Sequence, residues 1–257
     1  MVTRNDIHEF LKANGIKSND TVIIHTSMRS LGGVEGGCDG LIDAFTSYLS
    51  DGLFIIPTHT WATVGSKTDT YEVKTSIPCI GALPTVAISR SDGVRSLHPT
   101  HSMTAFGKRA KEFLKGEEKS TSPCQIGGAW ARLYDEGAKI LLIGVGLERN
   151  TYIHAVDEMI DVPERLGTPR EVKIIGYNGE RYETTFRPHA RNTSTYFPNY
   201  EKPFVALGAY TKSKLGDATV GICDARKATE ILKLLWSRTD HDFCREVEEI
   251  PEEYYLS

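Results

Sequence analysis

Three short apolar runs constrain the fold of this chain more than any other feature. They span residues 21–25, 53–56 and 139–144, and the last, Lys139-Ile140-Leu141-Leu142-Ile143-Gly144, is the clearest strand. An amphipathic helix over residues 3–14 precedes the first run, and a helix over residues 39–49 separates the first two. Strands that alternate with helices favour an α/β fold, in which a central, mostly parallel sheet is flanked by helices.

Two regions depart from this alternation. Residues 58–82 carry few periodic signals and are predicted to form an inserted loop region, and long loops in compact domains are often functional. Residues 171–186 flank Asn178-Gly179, the dipeptide most typical of a tight hairpin turn, and predict a small β-hairpin in the C-terminal part. The hairpin therefore lies outside the alternating pattern.

The last part of the chain returns to that pattern. A strand over residues 219–222 is followed by a helix over residues 224–236, and the acidic segment from Glu246 onward is predicted to be a solvated end. Neither an internal repeat nor a low-complexity linker divides the sequence. We therefore expect residues 1–257 to form a single elaborated domain.

The composition limits the partners. The formal net charge is −4 and the isoelectric point is near 6.1, and no stretch supplies the basic face that nucleic-acid binding needs. A mildly acidic surface suits a cationic partner better. No apolar run approaches the roughly 18 residues of a membrane helix, and the N-terminus lacks a signal-peptide core. Five cysteines without CxxC spacing indicate reduced thiols, so we expect a cytoplasmic protein that binds neither nucleic acid nor membrane.

A glycine-rich turn follows the first apolar run, in residues 25–33 (His25-Thr26-Ser27-Met28-Arg29-Ser30-Leu31-Gly32-Gly33). Such a turn between a strand and a helix exposes backbone N–H groups, which let a phosphate approach closely. The spacing fits neither GxGxxG nor GxxxxGK[ST], so the dinucleotide and P-loop interpretations fail. A phosphate site and a plain tight turn both remain open for this segment.

Two histidines with a proline between them occur in residues 95–102. The order His98-Pro99-Thr100-His101 cannot form an ordinary helix interior, because proline removes a donor and restricts the preceding residue. The pair could ligate a metal, position a substrate or bond to loop backbone. Metal sites need three or four convergent ligands, and only two are fixed here.

A third histidine follows the strand that ends at Gly144. At helical spacing, His154 shares a face with Asp157 and Glu158, which lie three and four residues further on. A carboxylate that orients an imidazole is the arrangement a general base requires. An inert surface pair has the same spacing, so the pattern alone leaves both interpretations open. GxSxG and HExxH are absent, which argues against a serine hydrolase and a zinc protease.

Several blocks in the same order resemble the aminoglycoside 3-N-acetyltransferase family, a group unrelated in fold to the GNAT acetyltransferases. The blocks lie between roughly residues 10 and 160 and are, in order, His25-Thr26-Ser27-Met28-Arg29-Ser30-Leu31-Gly32, Pro57-Thr58-His59-Thr60-Trp61, Arg95-Ser96-Leu97-His98-Pro99-Thr100-His101-Ser102 with Ala105 and Gly107, Ser122-Pro123, and Leu141-Leu142-Ile143-Gly144-Val145-Gly146-Leu147-Glu148-Arg149-Asn150-Thr151 with His154.

The resemblance implies an α/β enzyme that uses acetyl-CoA and no metal. His154 would be the catalytic base, and Asp157 stands where the family usually has glutamate, so either Asp157 or Glu158 would orient it. Transfer would be direct, because no activated nucleophile is evident. The implied cofactor-binding residues are those of the first loop and of one later strand end, namely Ser27, Arg29, Ser30, Leu31, Gly32, Gly33, Ser102, Phe106 and Gly107.

The implied acceptor is a small cationic amine, the 3-amino group of the 2-deoxystreptamine ring of an aminoglycoside, and its acetylation would confer resistance. Residues expected to contact it are Thr60, Asp69, Glu72, His98 and His189. The segment after the hairpin departs from some relatives, which carry acidic residues where this chain has Arg187, His189 and Arg191. That departure argues for an altered acceptor. We also expect the protein to be a monomer or a homodimer.

Three alternatives stay open at this point. The first is an acyl-CoA N-acyltransferase of the same family that acts on a different amine, since function lies in the site and not in the fold. The second is a metal-dependent hydrolase built on His98, His101, His154 and Glu158. The third is a non-catalytic protein that binds CoA or an antibiotic without releasing the thiol.

Overall fold

A computed structural model describes residues 1–256. It contains ten strands: β1 Thr21–Thr26, β2 Leu53–Pro57, β3 Thr70–Glu72, β4 Gly93–Arg95, β5 Met103–Phe106, β6 Lys139–Ile143, β7 Arg170–Ile175, β8 Arg181–Phe186, β9 Tyr210–Leu215 and β10 Ala218–Asp224. Its α-helices are α1 Arg4–Ala13, α2 Gly37–Tyr48, α3 Ala82–Ser89, α4 Ala110–Phe113, α5 Ala129–Glu136, α6 Tyr152–Met159, α7 Glu201–Ala206 and α8 Ala225–Arg238.

A seven-stranded sheet in the order β4-β5-β2-β1-β6-β10-β9 forms the centre of the fold. The predicted α/β class is confirmed, but the parallel pairing is confined to the three central strands, β2, β1 and β6. The pairs toward both edges are antiparallel. The three apolar runs form the central strands because a parallel sheet covered on both faces buries every side chain of its strands.

Helices cover both faces of this sheet, and successive strand residues serve opposite faces. In β1, Ile23 points into the core that contains Trp130 of α5 and Val156 of α6. Its neighbour Ile24 points into the core beneath α1 and α2, which includes Phe45. Helix α6 therefore packs on the face of the sheet to which alternate residues of β1, such as Ile23, point.

A separate three-stranded sheet, in the order β3-β7-β8, packs around its own small core. The predicted hairpin forms β7 and β8, with Ile174 paired to Tyr182. The region over residues 58–82, predicted to be a loop, contributes β3, where Tyr71 is fully buried and pairs in parallel with Ile174. Sequence periodicity could not reveal a three-residue strand whose partner lies about a hundred residues away.

The acidic end is not simply solvated, contrary to the sequence prediction. Ile250 and Tyr255 are buried in the core that contains α6 and α8. Asp242, just before this segment, is also largely buried. Within the described residues, no helix is both long and apolar enough to cross a membrane.

Candidate functional site

A cleft of about 1070 Å³ opens at the carboxyl ends of the central strands. Thr26 at the end of β1, Pro57 at the end of β2 and Val145 just after β6 line it. Ligands of open α/β sheets bind outside the carboxyl ends of the strands, so this is the expected position of a site. We call this side, with its strand ends and the turns that follow them, the sheet wall.

The facing side of the cleft comes from the smaller sheet and the chain that leads into and out of it. Arg170 begins β7 and is the register partner of Phe186, which ends β8. Pro188, His189 and Arg191 follow, and all five residues line the cleft. The segment is fixed by its backbone, since the N–H of Gly167 donates to the Pro188 carbonyl at 2.7 Å. We call this side the hairpin wall.

Five of the eight histidines of the chain line the cleft: His25, His59, His101, His154 and His189. The ring centroids of His59 and His101 are 4.6 Å apart, those of His101 and His189 are 5.1 Å apart, and those of His154 and His189 are 4.0 Å apart. Four of these imidazoles, those of His59, His101, His189 and His154, therefore form a continuous cluster that connects the two walls.

Burial keeps these imidazoles neutral at pH 7. It lowers the pKa of His25 to about 3 and that of His189 to about 4. Burial also lowers the pKa of His154 well below its usual value, and the neighbouring His189 and Arg165 lower it further. A neutral imidazole has a free lone pair, so each of these rings can accept a proton.

His154, the histidine predicted to be the base, belongs to this cluster. It lies in α6, lines the cleft and stacks on His189 with an interplanar angle of 30°, while Phe197 meets its ring edge at 4.8 Å. Its Nδ1 atom is buried and has no hydrogen-bond partner among residues 1–256. A buried ring nitrogen without a partner is costly in an ordinary core, so this nitrogen could bond to a ligand in the cleft.

The two carboxylates predicted to orient His154 bond elsewhere. Asp157 accepts from Nε of Arg165 at 2.7 Å, and the same guanidinium makes two bonds to Asp242 at 2.7 and 2.8 Å. Glu158 accepts from the Ser122 hydroxyl and from the backbone N–H of Cys124. Helical spacing could not predict these partners, which come from distant segments.

His98 supports the loop and does not reach the cleft. Its Nδ1 accepts from the backbone N–H groups of Thr100 and His101, and its Nε2 bonds to the Ser122 carbonyl. His101 lines the cleft instead, and Trp130 donates to its carbonyl oxygen. No group within residues 1–256 has the arrangement of a metal site, so the ligand set proposed for a hydrolase does not converge.

The first loop, residues 25–33, lies beside the cleft, and its members in the lining are His25 and Thr26. Ser30 bonds to the Ser27 hydroxyl at 2.9 Å, Leu31 is buried in the core, and the Gly33 carbonyl accepts from the N–H of Val2. Arg29 is exposed and Gly32 lies against Asp217. The cleft lining therefore contains none of the six loop residues predicted to bind the donor, which are Ser27, Arg29, Ser30, Leu31, Gly32 and Gly33.

Ser102, Phe106 and Gly107 do not line the cleft. Strand β5 runs antiparallel to β2 and pairs Phe106 with Phe54, so the chain leads Phe106 and Gly107 to the opposite end of the sheet. Ser102 is at the correct end but is fully buried, and its hydroxyl bonds to Thr58. The sequence blocks could not reveal that this strand reverses direction.

Most of the residues predicted to contact the acceptor also lie outside the cleft lining. Thr60 is buried and donates its hydroxyl to the Pro99 carbonyl at 2.6 Å. Asp69 pairs with Lys173 at 2.9 Å on the exposed side of the smaller sheet, and Glu72 accepts from Thr75. Among the predicted acceptor contacts, only His189 lines the cleft.

Sequence reasoning assigned no role to His25 and His59. Both follow or end apolar strands, at the carboxyl ends of β1 and β2, and their Nε2 atoms are buried without partners among the described residues. A polar, titratable residue at the end of a parallel strand is the signal that would have identified them. His25 packs parallel to Trp130 with the centroids 6.2 Å apart.

Comparisons with known proteins identify relatives with a similar sequence and a similar fold. The chain is 25% identical over 259 residues to aminoglycoside N(3)-acetyltransferase III of Salmonella sp, covering 88% of each protein. It superposes with a TM-score of 0.79 on aminoglycoside acetyltransferase AAC(3)-IVa in complex with a gentamicin, at 20% identity and 93% and 90% coverage. AAC-IIIb bound to CoASH gives a TM-score of 0.79 at 21% identity, with 92% and 97% coverage.

The family assignment rests on the sequence profile described as aminoglycoside 3-N-acetyltransferase, which matches residues 23–236. That range includes the carboxyl end of β1 and all of β2 and β6, which form the sheet wall, and helix α6, which carries His154. It also includes the hairpin wall, so the match covers every part of the cleft. The chain belongs to the aminoglycoside 3-N-acetyltransferase family.

Proposed function

We propose that this protein transfers the acetyl group of acetyl-CoA to an amine of an aminoglycoside-type acceptor, the 3-amino group of a 2-deoxystreptamine ring, and thereby confers resistance. The observation that carries the proposal is the neutral His154 ring, buried in the cleft with its Nδ1 unpartnered among the described residues. Its position at the carboxyl ends of the strands, in a chain of this family, supports a role in the reaction.

His154 would act as the general base. An acceptor amine must lose a proton as its nitrogen bonds to the carbonyl carbon of the thioester, and the neutral imidazole takes that proton. The carbon–sulfur bond then breaks, and the CoA thiolate leaves and is protonated in turn. A positioned base of this kind contributes about 10²–10⁴-fold to a rate.

The acetyl donor would enter along the sheet wall. Ile24, Ile56 and Leu83 make part of the lining apolar, which suits an extended thioester arm. Arg149, in the turn after β6, lies close enough to His25 to lower the pKa of that ring, and its charge would bind a donor phosphate. Attack on the thioester carbonyl also forms an oxyanion, which N–H or hydroxyl donors would stabilise. The backbone N–H groups of Thr58 and Thr60 already donate to the carbonyls of Ser102 and Thr100, so they would not serve as those donors.

The cytoplasm is the compartment we infer for this activity. All five cysteines are free thiols, and three of them are buried. Unpaired thiols persist in reducing compartments, where disulfides are rare.

The decisive experiment measures CoA thiol release from acetyl-CoA with a panel of aminoglycosides, followed by mass spectrometry of the products. We expect a gain of one acetyl group on the 2-deoxystreptamine ring. His154→Ala should lower turnover by about 10²-fold or more while CoA affinity is retained. His241→Ala is the matched control, because that ring is exposed and pairs with Glu248 away from the cleft.

Two results would contradict the proposal. The first is the absence of thiol release with every amine tested, in protein that CoA binds and stabilises. The second is turnover in His154→Ala that equals turnover in His241→Ala, which would show that another group accepts the proton.

A further inference from the structure

The charges that line the cleft are poorly suited to a polycationic acceptor. Three arginines, Arg149, Arg170 and Arg191, face it, and Glu148 is the one carboxylate among the described residues of the lining. Glu148 accepts from the backbone N–H of Gly146 within its own turn, at 3.1 Å. An aminoglycoside carries several ammonium groups, and each would meet arginine here where carboxylates would be complementary.

The three arginines differ in how far their charges are already compensated. Arg191 pairs with Glu164 at 2.7 Å. Arg149 is exposed, and its side chain makes neither a hydrogen bond nor an ion pair with residues 1–256. Arg170 is half-buried, and none of the ion pairs within the described chain involves it. Arg170 is thus the one partly buried cation of the described cleft lining without a compensating carboxylate.

The position of Arg170 is built into the fold. Its Nη1 donates to the carbonyl of Gly65, a neutral partner, while its Nε is buried without a partner among the described residues. Gly65 has a φ of +81°, and a Cβ there would lie 2.3 Å from the guanidinium carbon. The glycine therefore gives the guanidinium a place against the backbone, which a side chain at position 65 would occupy.

A guanidinium held in this way is suited to an anion. Its forked N–H donors match the paired oxygens of phosphate and carboxylate, and such charge-assisted bonds are stronger than neutral ones. A partly buried charge that lacks a counter-ion also costs free energy, which an anionic ligand would recover. Arg170 is the register partner of Phe186, and His189 lies three residues further on, stacked on His154.

We propose that Arg170 binds a phosphate or carboxylate group of the acceptor, so that the preferred acceptor is an amine that also carries an anionic group, such as an amino-sugar phosphate. This inference rests on the proposed acetyl transfer but replaces the aminoglycoside-type acceptor of that proposal with an amine that also carries an anionic group. The donor also carries phosphates. However, Arg170 belongs to the hairpin wall, whereas Arg149 lies beside His25 on the sheet wall, where the donor is expected.

The first test compares glucosamine with glucosamine 6-phosphate and glucosamine 1-phosphate as ligands of the CoA-bound protein, by calorimetry. We expect at least one of the two phosphates to bind about 10- to 100-fold more tightly than the unphosphorylated sugar, as for hydrogen bonds to a charged group. Equal affinity of all three sugars would overturn the inference. Because binding is measured without turnover, the result does not depend on acetyl transfer.

The second test assigns the effect to Arg170. Arg170→Gln should remove the preference for the phosphorylated sugar and leave CoA affinity within about twofold, since the lost charge serves the acceptor. Arg181→Gln is the matched control, because Arg181 is exposed at the far end of the hairpin. A variant that loses CoA affinity but keeps the phosphate preference would overturn the inference and assign Arg170 to the donor.

The two proposals fail in different ways. Thiol release with aminoglycosides, together with no preference for a phosphorylated amine, would overturn this inference and leave the proposed function intact. Phosphate-dependent binding that Arg170→Gln removes, without thiol release with any amine, would support the anion site and contradict the proposed acetyl transfer.

Discussion

The two walls of the cleft are built by different means. The sheet wall consists of strand ends and their turns. These strands belong to a sheet that is buried on both faces, which fixes the positions of the neutral histidines at its end. The hairpin wall is held by contacts between segments far apart in the sequence, such as Arg170 with Gly65. Its charged residues face the same space as His154.

Under the proposed function, this difference would place the group that accepts the proton and the groups that select the acceptor in differently built parts of the cleft. A rigid sheet end can keep a base in place, while a wall made of loops and a small sheet can change its charge without moving that base. The residues of the hairpin wall are therefore where this chain can differ from relatives that bind gentamicin. Four predictions examine how independent the walls are.

The largest expected effect concerns the support beneath α6. Arg165→Met leaves the buried carboxylates of Asp157 and Asp242 without their shared cation, so unfolding free energy should fall by about 3–5 kcal/mol. Arg245→Met is the matched control, since Arg245 contacts Asp242 from an exposed position and should change stability by about 0–1 kcal/mol. Urea denaturation measures both, and equal stability of the two variants would contradict the prediction.

The second prediction concerns pH and the histidines of the sheet wall. Their pKa values are lower in the folded than in the unfolded chain, so the unfolded chain binds more protons and stability falls as pH drops below about 6.5. His25→Phe should reduce the slope between pH 4 and 6 by about 1.4 kcal/mol per pH unit, the value for one proton. Equal slopes for the variant and the natural protein in urea denaturation would refute the assignment.

The third prediction concerns the contact between the walls. The His189 ring packs against His154 and helps to hold it in place, so its loss in His189→Ala should lower kcat about tenfold. His189→Phe keeps a ring at that position and should retain kcat within about threefold. Steady-state kinetics distinguish this role from substrate binding, because a rise in acceptor KM at constant kcat would instead make His189 an acceptor contact.

The smallest effect is expected outside both walls. Asp69 pairs with Lys173 on the exposed side of the smaller sheet and does not line the cleft, so Asp69→Asn should leave acceptor KM within about twofold. Glu72→Gln should behave in the same way, because Glu72 bonds to Thr75. A large rise in acceptor KM for either variant would extend the site beyond the hairpin wall.

Much of the sheet wall could be predicted from the sequence because its signals are local. The apolar runs over 21–25, 53–56 and 139–144 formed the central strands, and His154 could be located because it follows such a strand at the start of a helix. The hairpin at Asn178-Gly179 also depends on neighbours within a few residues. Local patterns therefore predicted where the elements lie.

The partners of charged groups could not be predicted in this way. Asp157 and Glu158 were expected beside His154 from helical spacing, but Arg165, which also binds Asp242, holds Asp157, and Ser122 holds Glu158. Arg165 and Asp242 are 77 residues apart in the sequence, and no local pattern specifies which distant cation a buried carboxylate will find. Phe106 and Gly107 were misplaced for a similar reason, since pairing between strands set their direction.

The glycine at position 65 has a consequence for how a chain of this kind could change over time. Any larger residue there would push the Arg170 guanidinium out of its place, although position 65 itself has no side chain to touch a substrate. A single base change in the gene could thus alter which amines are accepted while every residue around His154 stays the same.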